Sequence, residues 1–179
     1  MKEWITSDLH FGHANIKNFC PATRSHYRDV SHMDSEMIRM WNDLISDDDV
    51  VYILGDVCFM RLDDAVATVR ELKGKKILIE GNHDQKLLKN SEFRSCFAEI
   101  HKYLDINRNG VKIVMFHYPI AEWDQQYRGS VHFHGHLHGK PSGIERYRAR
   151  DVSIDATGRI AVTLEEATAD ALRGIVKTN

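Results

Sequence analysis

Short apolar runs that stop abruptly at polar residues recur along the chain, and several are followed by a helical pattern. "EWITS" runs into Asp8 and His10, "VVYIL" into Gly55 and Asp56, and "KKILIE" into "GNHD" at 81–84. "VKIVMF" ends at His117, and "VHFH" ends in "GHLH". Continuous Val, Ile and Leu runs of this length suit strands buried on both faces, as in layered α/β folds. Two amphipathic helices lie between them. From Asp34 as cap, Met37, Ile38, Trp41, Leu44 and Ile45 fall on one face. Leu62, Ala65, Val66, Val69 and Leu72 make a second stripe, with Gly74 as its C-cap. "YLDINRNGVKIVMF" alternates on either side of Asn109 and Gly110, a dipeptide favoured in type I′ turns, which predicts a hairpin and hence a mixed sheet. "DVSID" reads as another strand, and Thr163 with Glu166 as a capping box for a last helix through about Leu172. No repeat, low-complexity tract or linker interrupts the pattern, so one domain is expected over residues 1–179.

Composition narrows the classes. Hydrophobic residues make up 42% and charged residues 28% of 179, the profile of a folded globular chain. The net charge of −2 supplies no general basic field, so any attraction for phosphate must be local. Cys20, Cys58 and Cys96 are odd in number and without a CxxC pair, which argues against a disulfide framework and a zinc finger. "MKEWITSDLHFG" meets charges too early for a signal peptide, and no apolar run approaches a membrane span. A cytoplasmic protein without membrane contact is the expectation.

The strand ends carry the chemistry. His117, His132, His134, His136 and His138 fall within residues 116–139 of a chain holding only 11 histidines. In open α/β sheets ligands bind beyond the carboxyl ends of the strands, a rule that would bring Asp8, His10, Asp56, Asn82, His83, His117, His136 and His138 into one site. Oxygen and imidazole donors without thiolate suit manganese, iron or zinc, and two carboxylates among so many donors suit a pair of ions sharing a bridge. Placed two apart on an extended backbone, His136 and His138 would project to the same side and each reach a different ion.

In order and at plausible intervals, "DLH", "GD", "GNHD", the His of "FHYP" and "GHLH" resemble the successive motifs of the calcineurin-like metallophosphoesterase superfamily. "SDLHFGHANI", "HYPIAEWD" and "HFHGHLHG" resemble more closely a group of small phosphoesterases of bacteria and phages. The resemblance implies a four-layer sandwich of two mixed β-sheets flanked by helices. It implies two divalent metal ions, manganese first, with iron, zinc or nickel as alternatives. Asp8, His10 and His138 would hold one ion and Asn82, His117 and His136 the other, with Asp56 bridging. His83 would face a phosphate-ester substrate, steadying charge on the phosphoryl oxygens or protonating the leaving oxygen, with Asn82 also touching substrate. Two divalent ions less Asp8, Asp56 and one bridging hydroxide would leave the site about one positive charge for phosphate.

Other residues keep two readings. Asp84 either orients a catalytic His83 or caps a short helix near Gln85, and His13 is a substrate contact or an ordinary loop histidine. His132 and His134 support the ligands or pack their strand, Arg24 and Arg128 read as solvated surface, and Trp123 and Tyr127 as packing. "GDVCFMR" lacks the "DRG" that follows this motif in the superfamily's protein phosphatases, which disfavours a phosphoprotein substrate. Cys58 and Phe59 stand where cyclic-nucleotide phosphodiesterases often carry an acidic residue. The expected activity is therefore a metal-dependent phosphoesterase, with diesters slightly ahead of monoesters. A nuclease of the same fold is the alternative, disfavoured by the missing basic, aromatic-rich stripe. A non-catalytic metal-binding scaffold ranks behind both, because every expected group is retained.

Overall fold

The computed structural model describes residues 1–178. Its first sheet has the order β4-β3-β2-β1-β9, formed by β1 (Glu3–Thr6), β2 (Val50–Ile53), β3 (Lys75–Ile79), β4 (Glu99–His101) and β9 (Val162–Thr163). β1 to β4 are parallel and β9 runs antiparallel to β1. The second sheet joins β5 (Tyr103–Arg108), β6 (Val111–Phe116), β7 (Val131–His134) and β8 (Ala149–Asp151) in that order, with an antiparallel β5–β6 pair and parallel pairs beyond it. Asn109 and Gly110 both have positive φ, as a type I′ turn requires.

Two cores explain the unbroken apolar runs. Ile5, Tyr52, Leu54, Ile77 and Ile79 meet Ile113, Met115, Val131 and Phe133 between the sheets. The alternate residues Trp4, Val51, Ile53 and Leu78 face α1 (Val30–Leu44) and α2 (Leu62–Glu71) through Met33, Met37, Trp41, Ala65, Val66 and Val69. A strand whose two faces are both buried has no polar side to alternate with. On the outer face of the second sheet, Val114 and Ala149 are covered by Trp123, Ile120 and Ile144 from the loops, so this fourth layer is mostly irregular chain. α3 (Leu164–Ala171) puts Leu164, Ala167 and Ala171 into the core between the sheets, and its capping box between Thr163 and Glu166 is formed as expected. No helix among the described residues is long and apolar enough to cross a membrane.

Three expected boundaries move. α1 begins at Val30, capped by the Asp29 side chain, which accepts the His32 N–H at 2.8 Å. Starting a turn earlier adds Met33 to the stripe at i, i+4 spacing from Met37, while Leu44 is left exposed. Asp34 instead accepts the Gly12 N–H at 3.0 Å and so ties the loop after β1 to α1. α2 ends at Glu71 with Leu72 extended, and Gly74, at φ +86°, turns the chain into β3 two residues later. "DVSID" is strand only at its start: the Ser153 hydroxyl accepts the Ala156 N–H and starts a short helix, Ile154–Thr157, which carries Asp155.

Candidate metal centre

Five loops at the carboxyl ends of β1, β2, β3, β6 and β7 meet, and backbone bonds stitch the first to the second and the fourth to the fifth. Asp8 N–H donates to the Gly55 carbonyl, His10 N–H to that of Asp56, and Gly135 N–H to that of His117. The two sheets join where His136 N–H donates to Asp8 Oδ2 at 2.9 Å. The motif glycines permit this closeness. A Cβ at Gly135 would stand 2.0 Å from Ser7 Oγ and 2.2 Å from Asp8 Oδ2, and one at Gly81 would stand 2.3 Å from Asp56 Oδ1. Asp8, His10, Asp56, His136 and His138 all take positive φ, a region costly for residues with a Cβ and found where a site imposes it. His136 and His138 therefore reach the site from a left-handed loop rather than from the extended pleat expected of them.

Side chains from these loops converge. Ligand atoms of Asp8, His10 and His138 lie within 4.8 Å of one another, as do those of Asp8, Asp56 and His117. Asp56 Oδ2 stands 3.8 Å from His10 Nε2 and 3.7 Å from His117 Nε2, between the two groups. Asn82 Oδ1 is 3.0 Å from His117 Nε2. His136 packs edge-on against His117, ring centroids 5.2 Å apart. His117 Nδ1 lies 2.7 Å from the Leu54 carbonyl and His138 Nδ1 lies 2.7 Å from Asp155 Oδ2. Both acceptors demand a ring N–H at Nδ1, so Nε2 is the nitrogen turned toward the carboxylates and, when unprotonated, able to ligate.

Two buried atoms, Asp8 Oδ1 and His10 Nε2, have no hydrogen-bond partner. They are 3.7 Å apart, and Asp8 Oδ1 is 3.6 Å from His138 Nε2. Orphaned polar atoms facing one small space are costly unless something fills it, and a divalent cation fits this donor set. The electrostatics agree. Burial alone would raise the Asp8 pKa, but His10, His138 and His117 hold it below the ordinary carboxylate value. Burial lowers the pKa of His10 and His136, keeping those rings neutral and able to ligate. At His138 burial is outweighed by the Asp155 hydrogen bond and by Asp8, which raise the pKa to about 10, so a cation here displaces a proton.

The remaining candidates separate by exposure. The His83 side chain is 48% exposed, with Nε2 3.9 Å from Asp56 Oδ2. The His83 N–H donates to Asp56 Oδ1 at 2.9 Å, fixing the loop at the mouth of the site. Asp84 is fully buried: Oδ2 accepts the N–H groups of Asp56 and Gly81, and Oδ1 that of Val57. Those three backbone groups occupy the Asp84 carboxylate and tie the loop after β3 to that after β2. His13 lies at the mouth, its Nδ1 3.0 Å from His10 Nδ1 and its ring on Phe59. His132 and His134 are buried in β7; His132 packs on Trp123, with Nδ1 on the Val114 carbonyl, away from the carboxylates.

Two residues of the site had no signal in the sequence. Arg24, expected at the surface, is 1% exposed and pairs with Asp155 while donating to the Asp8 and Leu9 carbonyls. Asp155, read as part of a strand, binds both Arg24 and His138. Neither sits in a motif, and 131 positions separate them.

The calcineurin-like phosphoesterase family matches residues 1–140. An uncharacterised protein of Methanocaldococcus jannaschii is 32% identical over 171 residues, covering 92% of this chain and 88% of that one. The gene 66 protein of Mycobacterium phage L5 is 28% identical over 187 residues, covering 88% of each. A solved protein of unknown function from Aquifex aeolicus shares the fold, with a TM-score of 0.71 at 24% identity and coverage of 92% and 96%. With its motifs gathered around one metal-ligating pocket and the family matched from residue 1 to residue 140, the chain belongs to the calcineurin-like phosphoesterases, which makes it a metal-dependent phosphoric ester hydrolase.

Proposed function

We propose that the chain hydrolyses phosphodiesters in preference to monoesters, using two divalent ions, manganese first. Asp8, His10 and His138 hold one ion, Asn82, His117 and His136 the other, and Asp56 lies between. The observation that carries this reading is the position of Asp56 Oδ2, within 4 Å of imidazole nitrogens from both groups. Divalent ions held there would acidify a water enough for it to attack phosphorus near neutral pH and would offset charge on the entering and leaving oxygens.

The chain's own residues do the rest. Asp155 and the Leu54 carbonyl hold His138 and His117 in the ligating tautomer. Asp84 fixes the loops that carry Asp56 and Asn82. His83, half exposed at the rim, steadies the phosphoryl oxygens or delivers a proton to the leaving oxygen. A site left with about one positive charge matches the single charge of a diester better than the double charge of a monoester. The "DRG" motif, whose arginine could offset a second charge, does not follow "GD" here.

The test is hydrolysis of bis(p-nitrophenyl) phosphate against p-nitrophenyl phosphate, with manganese, iron, zinc and nickel supplied separately to metal-free protein. Faster diester turnover, abolished by chelation, is expected. No turnover of either ester with any of the metals would sink the reading.

A further inference from the structure

Beside His83 the mouth of the site is lined by rings rather than by charges. His13 stacks on Phe59 with centroids 4.1 Å apart and planes 9° apart. Phe59 also meets His83 at 4.5 Å and His10 at 4.7 Å. Phe19, at the end of the short helix Ile16–Phe19, extends the row outward, 6.0 Å from His13. The inner rings have a structural task, since Phe59 backs the ligand His10. Phe19 has none that its contacts explain: it is 63% exposed, with its ring tilted 56° to His13. A lone exposed phenylalanine is ordinary on a surface. One that continues a stacked row from the group facing the phosphorus is placed to meet a ligand.

We infer that Phe19, His13 and Phe59 form a wall that receives a planar aromatic group carried by the phosphate ester, and that Phe19 is a specificity determinant. Flat π surfaces stack favourably on such rings without hydrogen-bond readout, so a nucleobase and a simple aryl ring share the required chemistry. An aliphatic ester group would leave the wall wet and gain nothing from it.

This inference rests on the proposed phosphate-ester chemistry, and a binding measurement keeps the two separable, because it does not depend on turnover. The experiment is calorimetry of manganese-loaded protein with three monoesters of equal charge: thymidine 5′-monophosphate, phenyl phosphate and deoxyribose 5-phosphate. The aromatic monoesters are expected to bind about fivefold tighter or more than deoxyribose 5-phosphate, the scale of one stacked ring. Phe19→Ala, a change at an exposed position, should shrink that advantage to within about twofold and leave deoxyribose 5-phosphate binding unchanged. A gain larger for thymidine 5′-monophosphate than for phenyl phosphate identifies the ring as a nucleobase, and equal gains identify any aryl group. Equal affinity for all three in the unaltered protein, or an advantage untouched by Phe19→Ala, would overturn the inference.

Discussion

Arg24 and Asp155 form a buried, two-pronged ion pair, Nε to Oδ1 at 2.8 Å and Nη2 to Oδ2 at 3.1 Å, that ties the chain after β1 to the short helix after β8. Arg24 also holds the Asp8 carbonyl at 2.9 Å, and Asp155 holds His138 Nδ1 at 2.7 Å. Removing one partner strands the other charge in the interior. Arg24→Met is therefore expected to cost about 3–5 kcal/mol in urea unfolding. Asp155→Asn should weaken metal affinity by about 10–100-fold in calorimetric titration, because the one amide oxygen is claimed by Arg24 and an NH2 group replaces the carboxylate oxygen at His138 Nδ1. An Asp155→Asn protein with unaltered affinity would show that this contact does not orient the ligand.

Gly135 is where the second sheet reaches the carboxylate of the first. Gly135→Ala puts a methyl group on Ser7 Oγ and Asp8 Oδ2, where it has no room. We expect loss of metal binding and about 1–3 kcal/mol of stability. Gly135 has no positive φ, so crowding is the effect tested, and Gly143→Ala is the control: its φ of +83° disfavours a side chain while its Cβ meets nothing within 4 Å. It should keep its metal. Equal metal loss in both variants would contradict crowding at Gly135 as the cause.

The buried imidazole of His132 makes stability depend on acid. Burial lowers its pKa from about 6.5 to about 3, so the unfolded chain takes up a proton that the folded chain refuses. Its contribution is complete above about pH 6.5 and is lost as pH falls toward 3. At pH 5 the loss is on the order of 2 kcal/mol relative to pH 7.5. Urea unfolding at the two pH values should show this difference shrink in His132→Phe. A variant with the original pH dependence would assign the acid sensitivity to other groups.

Variants of His83 and Asp56 test whether catalysis and metal binding reside on different side chains. His83→Ala should keep its metal content and lose about 10²–10⁴-fold in turnover. Asp56→Asn should lose both ions, measured by elemental analysis after gel filtration. Metal loss in His83→Ala would remove His83 from its substrate-facing role.

The strands and the candidate ligands were legible because each is a local pattern: an apolar run, then a short polar motif. "GHLH" shows where that legibility stops. Its residues were readable as candidate ligands, but the positive φ of His136 and His138 accompanies contacts with Asp8 and Asp155 that no local pattern encodes. The start of α1 was misread because Asp29 and Asp34 are equally good caps in sequence, and only the Gly12 amide, brought by tertiary structure, occupies Asp34. Arg24 was assigned to solvent by the usual behaviour of arginine, which fails where a buried carboxylate and two carbonyls await it. β4 and β9, three and two residues long, are too short to carry a periodicity.

The central claim is that Asp56 joins two cations. Anomalous X-ray scattering from crystals grown with manganese tests it most directly. Two peaks roughly 3.5–4 Å apart, with an Asp56 oxygen touching both, are predicted. A single peak held by Asp8, His10 and His138 alone, or peaks remote from Asp56, would contradict it.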